Sequence, residues 1–172
     1  MKIIKSFLTE FFSPDKSYEE RIVRLLALLG DAAMIVALIF DFIIDESPVE
    51  MIMLLAMIIL VPVVSTISIR TGKVEWGARL QVMAVVFIVL PVTFYFGGGT
   101  MGGGIFWIAF AYMFAGAALS GAWRNVMIAS ITAIAFIEYL SVYFGYASVY
   151  PHSYNSSVID SLVSIVLTGL II

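Results

Sequence analysis

Apolar residues run along this chain in blocks of about twenty, separated by short polar or glycine-rich stretches, a rhythm that predicts helices long enough to cross a bilayer. The blocks fall near Ile22–Ile44, Val49–Ile69, Gly77–Phe96, Gly104–Gly121 and Val126–Tyr146. A sixth begins near Ser157 and is still apolar at Ile172. Within each block the apolar run is continuous and does not alternate, which excludes a membrane barrel. The predicted fold is an all-α polytopic membrane bundle of six transmembrane helices, the last one truncated.

The two ends carry their own patterns. Residues 1–12 place Ile3, Ile4, Phe7, Leu8, Phe11 and Phe12 on one helical face, with Lys2, Lys5 and Glu10 on the other. That pattern suits a short helix lying in the membrane interface. Ser13-Pro14-Asp15 breaks it, and Ser17 with Glu20 offers a capping box for the first span. Residues 1–20 thus read as an interfacial helix and linker, and 21–172 as the six-helix unit. From Ser157 to Ile172 a helix reaches only roughly 24 Å, against a hydrocarbon core of roughly 30 Å. No cationic stop follows, so the chain is expected to continue into the cytoplasm as part of a longer protein.

Composition agrees with the pattern. Apolar residues make up 62% of the 172 positions and charged residues 12%, against roughly 45–50% and 25% in soluble domains. So few charges cannot cover so much apolar surface in water, which excludes a soluble enzyme. A net charge of −3 opposes phosphate binding, so no nucleic-acid partner is expected. The bilayer itself is the first partner.

The distribution of the nine basic residues sets the orientation. Lys2, Lys5, Lys16, Arg21 and Arg24 precede or open the first span. Arg70, Lys73 and Arg79 surround the second connection, and Arg124 lies between spans four and five. The other connections hold only Asp45, Glu46 and Glu50, the glycines after span three, and a Tyr/Ser-rich loop after span five. Both termini are therefore expected in the cytoplasm.

Few residues carry candidate chemistry. Gly97, Gly98, Gly99, Gly102, Gly103 and Gly104 flank Thr100-Met101 in the outer connection between spans three and four. No strand precedes them and no Lys-Ser/Thr follows, so neither a dinucleotide fingerprint nor a P-loop is present. Two readings stay open for them: a compact turn, or a hinge loop that contacts a ligand. Trp107 fits an aromatic belt beside that turn.

Ionisable groups inside spans are costly and mark candidate sites. Helical rise puts Asp41 roughly 26 Å and Asp31 roughly 10 Å above Arg24, and Glu138 roughly 21 Å above Arg124. Asp41, Glu138 and Asp160 then share the outer half, below a loop that carries the single histidine, His152. These four and Trp107 form the candidate ligand or signal site. Glu138 is either a satisfied buried polar group or a ligand, proton or cation site. His152 is either an ordinary loop residue or a pH-sensing partner of Asp160. Asp31, lower down, is expected in a structural ion pair, with Arg79 or Arg24 within reach. With no cysteine and one histidine, a dedicated metal site is not expected. No cofactor motif and no catalytic set is visible.

The segment Phe94–Trp107, continuing through Ala111–Gly121, resembles the six-helix membrane module at the N-terminus of many bacterial, mostly Firmicute, signalling proteins. The shared features are the glycine-rich outer turn Gly97–Gly104, Trp107, the short turn Gly121–Arg124, the Tyr-rich stretch Tyr139–Tyr143, His152 in an outer loop, and Asp160 opening the last helix. The resemblance spans about residues 20–172. It implies a multi-pass module of the bacterial plasma membrane that senses an unidentified small ligand or membrane stimulus. It also implies a cytoplasmic diguanylate cyclase (GGDEF) or sensor histidine kinase, the latter in a two-component system, through which the protein forms a homodimer. The competing expectation is a small-solute transporter subunit resembling the substrate-binding components of energy-coupling-factor importers.

Overall fold

A computed structural model describes residues 18–44, 47–151 and 153–171. The interfacial helix expected over residues 1–12, the Ser17 capping group, Asp45, Glu46 and His152 lie outside the described residues.

Among the described residues the regular structure is entirely helical. Helix α1 runs Tyr18–Ile43 and α2 Pro48–Arg70. Helix α3 spans Val74–Phe96, α4 Gly104–Ala118, α5 Gly121–Tyr143 and α6 Tyr154–Ile171. Four stretches are long and apolar enough to cross a membrane: Val23–Ile43, Pro48–Arg70, Val74–Phe96 and Gly121–Tyr143. Helix α4, with 15 residues, is shorter than the full span expected over Gly104–Gly121. Leu119 and Ser120 turn extended and end it (ψ 152° and 163°). Helix α5 then starts at Gly121, five positions before the expected Val126, so Arg124 sits in its first turn and not in a loop. Hydropathy marks the stretch that sits in lipid, whereas the hydrogen-bonded helix runs on through the polar interface.

Local chemistry explains the helix ends and the one irregularity. At the start of α2 the Ser47 hydroxyl accepts a hydrogen bond from the Val49 N–H (3.3 Å), Pro48 takes the first turn, and Glu50 faces the positive end of the helix dipole. Pro62 is accommodated inside a continuous α2. In α3 the segment Val85–Val89 widens into a π turn just ahead of Pro91. Proline cannot donate to the carbonyl four residues back, and the wider turn absorbs that missing bond. Thr93 Oγ1 adds bonds to the carbonyls of Val89 (2.9 Å) and Leu90 (3.1 Å) on the same stretch.

The packing has a simple order. Helices α1, α3 and α4 touch one another at the centre, and each pair is bridged on its outer side: α1 and α3 by α2, α3 and α4 by α5, α1 and α4 by α6. Small residues make the central approach possible. Ala27, Ala78, Ala111 and Ala115 are all buried, beside Val82, Val86, Phe110 and Phe114. In lipid such close contact, and not expulsion of water, holds helices together. Helix α2 shows the complementary face: Ile52, Leu55, Ile59, Val63 and Ile67 are exposed, as lipid-facing side chains are.

Polar side chains pin the helices pairwise. Gln81 Nε2 on α3 donates to the Val61 carbonyl (3.1 Å) and to Ser65 Oγ (2.6 Å) on α2. Tyr95 and Ser141 hydroxyls share a hydrogen bond of 2.9 Å between α3 and α5. Tyr112 and Thr132 do the same between α4 and α5 (2.7 Å).

Candidate functional site at the glycine turn

The up-and-down path gives the bundle two chemically different ends. At one end Arg79 lies 5.0 Å from the ring centre of Trp123, which brings the α2–α3 and α4–α5 connections together. Arg70, Lys73 and Arg124 belong to the same connections. At the other end stand the glycine turn and the α5–α6 loop, whose Tyr150 N–H donates to the Tyr95 carbonyl (2.8 Å). Glu50, which opens α2, and Asp160, near the start of α6, come to this second end.

The turn is packed, not open. Gly97, Gly98, Gly99, Gly103 and Gly104 are buried, while Thr100 and Met101 remain exposed at its tip. Gly98 and Gly99 carry φ of 84° and 58°, the left-handed conformation that side chains resist. Two carboxylates press on the backbone of the turn. A Cβ added to Gly97 would lie 2.7 and 2.9 Å from the Glu50 oxygens, and one on Gly103 would lie 2.9 Å from Asp160 Oδ1. At Gly97 the added Cβ would also meet the Thr93 backbone carbonyl, which cannot swing aside, and at Gly103 the Ser164 side chain, so the turn packs tightly on its neighbours at both positions.

Asp160 is the link between the turn and the last helix. Its Oδ2 accepts a hydrogen bond from the Gly103 N–H, and its Oδ1 accepts one from Ser164 Oγ, one turn along α6 (3.4 Å). Asp41 on α1 interacts electrostatically with Asp160. It is only 6% exposed, and its Oδ2 has no hydrogen-bond partner among the described residues. Trp107 lies on α4 close by, edge-on to Phe110 with ring centres 6.0 Å apart. It lines a cleft of about 10 Å³ with Ala33, Phe106 and Ser164, among others. That is space on the scale of one water molecule.

Glu138 is set apart from this group. Its helix, α5, packs on α3 and α4, whereas Asp41 and Asp160 belong to the α1–α6 side. Glu138 is 2% exposed, and neither carboxyl oxygen has a hydrogen-bond partner among the described residues. Ser141 Oγ donates to the Glu138 backbone carbonyl (2.7 Å), not to its carboxyl.

The expected Asp31–Arg79 ion pair does not form. Arg79 Nη2 pairs with Glu75 one turn earlier on α3, and Asp31 Oδ1 is buried without a hydrogen-bond partner among the described residues. An i,i+4 partner on the same helix is always within reach, whereas Asp31 would have to be met across the bundle. Sequence reasoning also passed over Glu50 as a buried site residue. Its signal was present in Ser47-Pro48-Val49-Glu50, where Ser at the cap and Glu three positions on mark a helix start. That pattern puts Glu50 on an ordered helix and not in a loop.

Among the described residues no group of three or more His, Cys, Asp or Glu side chains is placed to hold a metal ion. Comparison with protein-family models, with curated proteins and with solved structures yields no match for this chain.

Proposed function

We propose that this chain is the membrane-embedded input module of a bacterial signal-transduction protein. In this reading it crosses the plasma membrane six times with both termini in the cytoplasm. It passes an outer stimulus to a cytoplasmic diguanylate cyclase or histidine kinase that works as a homodimer. The observation that carries the reading is the hydrogen bond from the Gly103 N–H to Asp160, which ties the turn at one end of the bundle to its last helix. A stimulus that favoured the broken or the intact form of this tie would shift α6 against α1 and α4, and α6 leads toward the C-terminus. Asp41 adds to the reading, because it interacts electrostatically with Asp160 and its Oδ2 has no hydrogen-bond partner among the described residues.

Two further features support the six-span arrangement. The described basic residues gather at one end of the bundle, as the positive-inside rule requires of its cytoplasmic face. The short α4 is extended by the packed glycine turn, which fills part of the bilayer's thickness with buried backbone, as is tolerated only inside protein. The cleft beside Trp107 is about 10 Å³, far below the roughly 300 Å³ that a vitamin-sized ligand fills, so a transporter subunit would hold its ligand elsewhere in the bundle.

The test is the output of the full-length protein in its native membrane, read as cyclic di-GMP or as kinase phosphorylation. Asp160→Asn should fix the output at one level and abolish the stimulus response. A variant with unchanged basal output and unchanged response would overturn the role given to Asp160.

A further inference from the structure

At the basic end of the bundle a groove of about 340 Å³ runs between α2, α3 and the start of α5. Its walls are mostly apolar and include Ile67, Leu80 and Met83, all exposed on the lipid-facing side. At its mouth Arg79 lies between two indoles, 5.9 Å from the ring centre of Trp76 and 5.0 Å from that of Trp123. Indoles in such a position belong to the headgroup level of a bilayer.

The polar groups of the groove divide into satisfied and unsatisfied ones. Thr71 Oγ1 donates to the Ile67 carbonyl (2.8 Å), and Ser68 Oγ to the Ser65 carbonyl (2.9 Å). Arg79 Nη2 is engaged by Glu75, but Arg79 Nε is buried and has no hydrogen-bond acceptor among the described residues. The ammonium of Lys73, on the exposed turn, has no ion-pair or hydrogen-bond partner among them. Arg70 and Arg124 add charge on the flanking turns, against the single acid Glu75. An orphaned guanidinium N–H and a free ammonium thus stand above an apolar slot, between two indoles.

We propose that this groove is a binding site for one anionic phospholipid of the leaflet at the basic end, with its phosphate on Lys73 and Arg79 Nε and an acyl chain along Ile67, Leu80 and Met83. A phosphate oxygen would complete the one unsatisfied donor that the groove buries. Basic pockets between membrane helices recognise anionic headgroups by this chemistry. The proposal is independent of the signalling reading.

The indoles themselves supply the readout. The chain has three tryptophans, so a Trp107→Phe background leaves only Trp76 and Trp123, both beside the groove. The full chain is reconstituted in phosphatidylcholine vesicles, and fluorescence quenching is compared for brominated phosphatidylglycerol and brominated phosphatidylcholine. The expected result is quenching by the anionic lipid at a clearly lower mole fraction. Lys73→Gln and Arg79→Gln should each reduce that preference about fivefold, while Arg21→Gln, on an exposed position away from the groove, leaves it intact. Lys73→Gln lies on an open turn and carries the test even if Arg79→Gln fails to fold. Equal quenching by both lipids would overturn the proposal, reducing the groove to annular lipid contact. So would an equal effect of Arg21→Gln, which would reduce it to diffuse surface charge.

Discussion

The backbone N–H of Gly103, in the turn ahead of α4, donates to the carboxylate of Asp160 on α6, 57 positions further along the chain. One hydrogen bond thereby ties the third connection of the bundle to its last helix. A charge-assisted bond of this kind contributes about 1.5–3 kcal/mol when its partner would otherwise be left unpaired. Asp160→Ala should therefore lower stability by that amount, with Ser164→Ala costing less because its bond to Asp160 is longer, 3.4 Å. Thermal unfolding in a mild detergent, followed by circular dichroism, measures both.

Glu138 should behave in the opposite way. Its carboxyl makes no hydrogen bond among the described residues, so an apolar residue of similar volume loses nothing there and relieves a buried polar group. Glu138→Met is expected to raise stability by about 1–3 kcal/mol and to abolish the stimulus response of the full-length protein. A stabilised variant with a normal response would leave Glu138 without a functional part.

Gln81 fastens α3 to α2 through two bonds from one amide, and each is worth about 0.5–1.5 kcal/mol. Gln81→Ala should cost about 1–3 kcal/mol in the same unfolding measurement. Restoring an amide on a shorter stem, with Gln81→Asn, should not recover the loss, because the carbonyl of Val61 is then out of reach.

The absence of cysteine from the chain makes topology directly measurable. Thr100→Cys, at the exposed tip of the glycine turn, should react with a membrane-impermeant maleimide added to intact cells. Lys73→Cys should react only after the membrane is opened. The reverse pattern would invert the orientation.

Much of the bundle was legible in the sequence, because continuous apolar blocks and the placement of Lys and Arg are properties of single segments. Helix existence followed from them, and so did the gathering of Arg70, Lys73, Arg79 and Arg124 at one end. Helix ends did not follow, since α5 begins at Gly121 in a polar stretch that hydropathy assigns to a loop. The candidate site was legible in part. Asp160 and the glycines were both singled out, yet their hydrogen bond depends on how α6 lies against α4, a relation between distant segments. Nor could helical rise alone separate Glu138 from Asp41 and Asp160: height along the bundle says nothing of which side a helix faces. Arg79 chose Glu75 over Asp31 for the same reason, as local partners need no tertiary arrangement.

In the proposed function this bundle feeds a cytoplasmic output domain through α6. The most direct measurement is the nucleotide sequence that follows the codon for Ile172 in the source DNA. The account predicts an open frame that runs on through a linker helix into a diguanylate cyclase or histidine kinase domain. A stop codon directly after Ile172 would contradict it and bring the transporter-subunit reading forward.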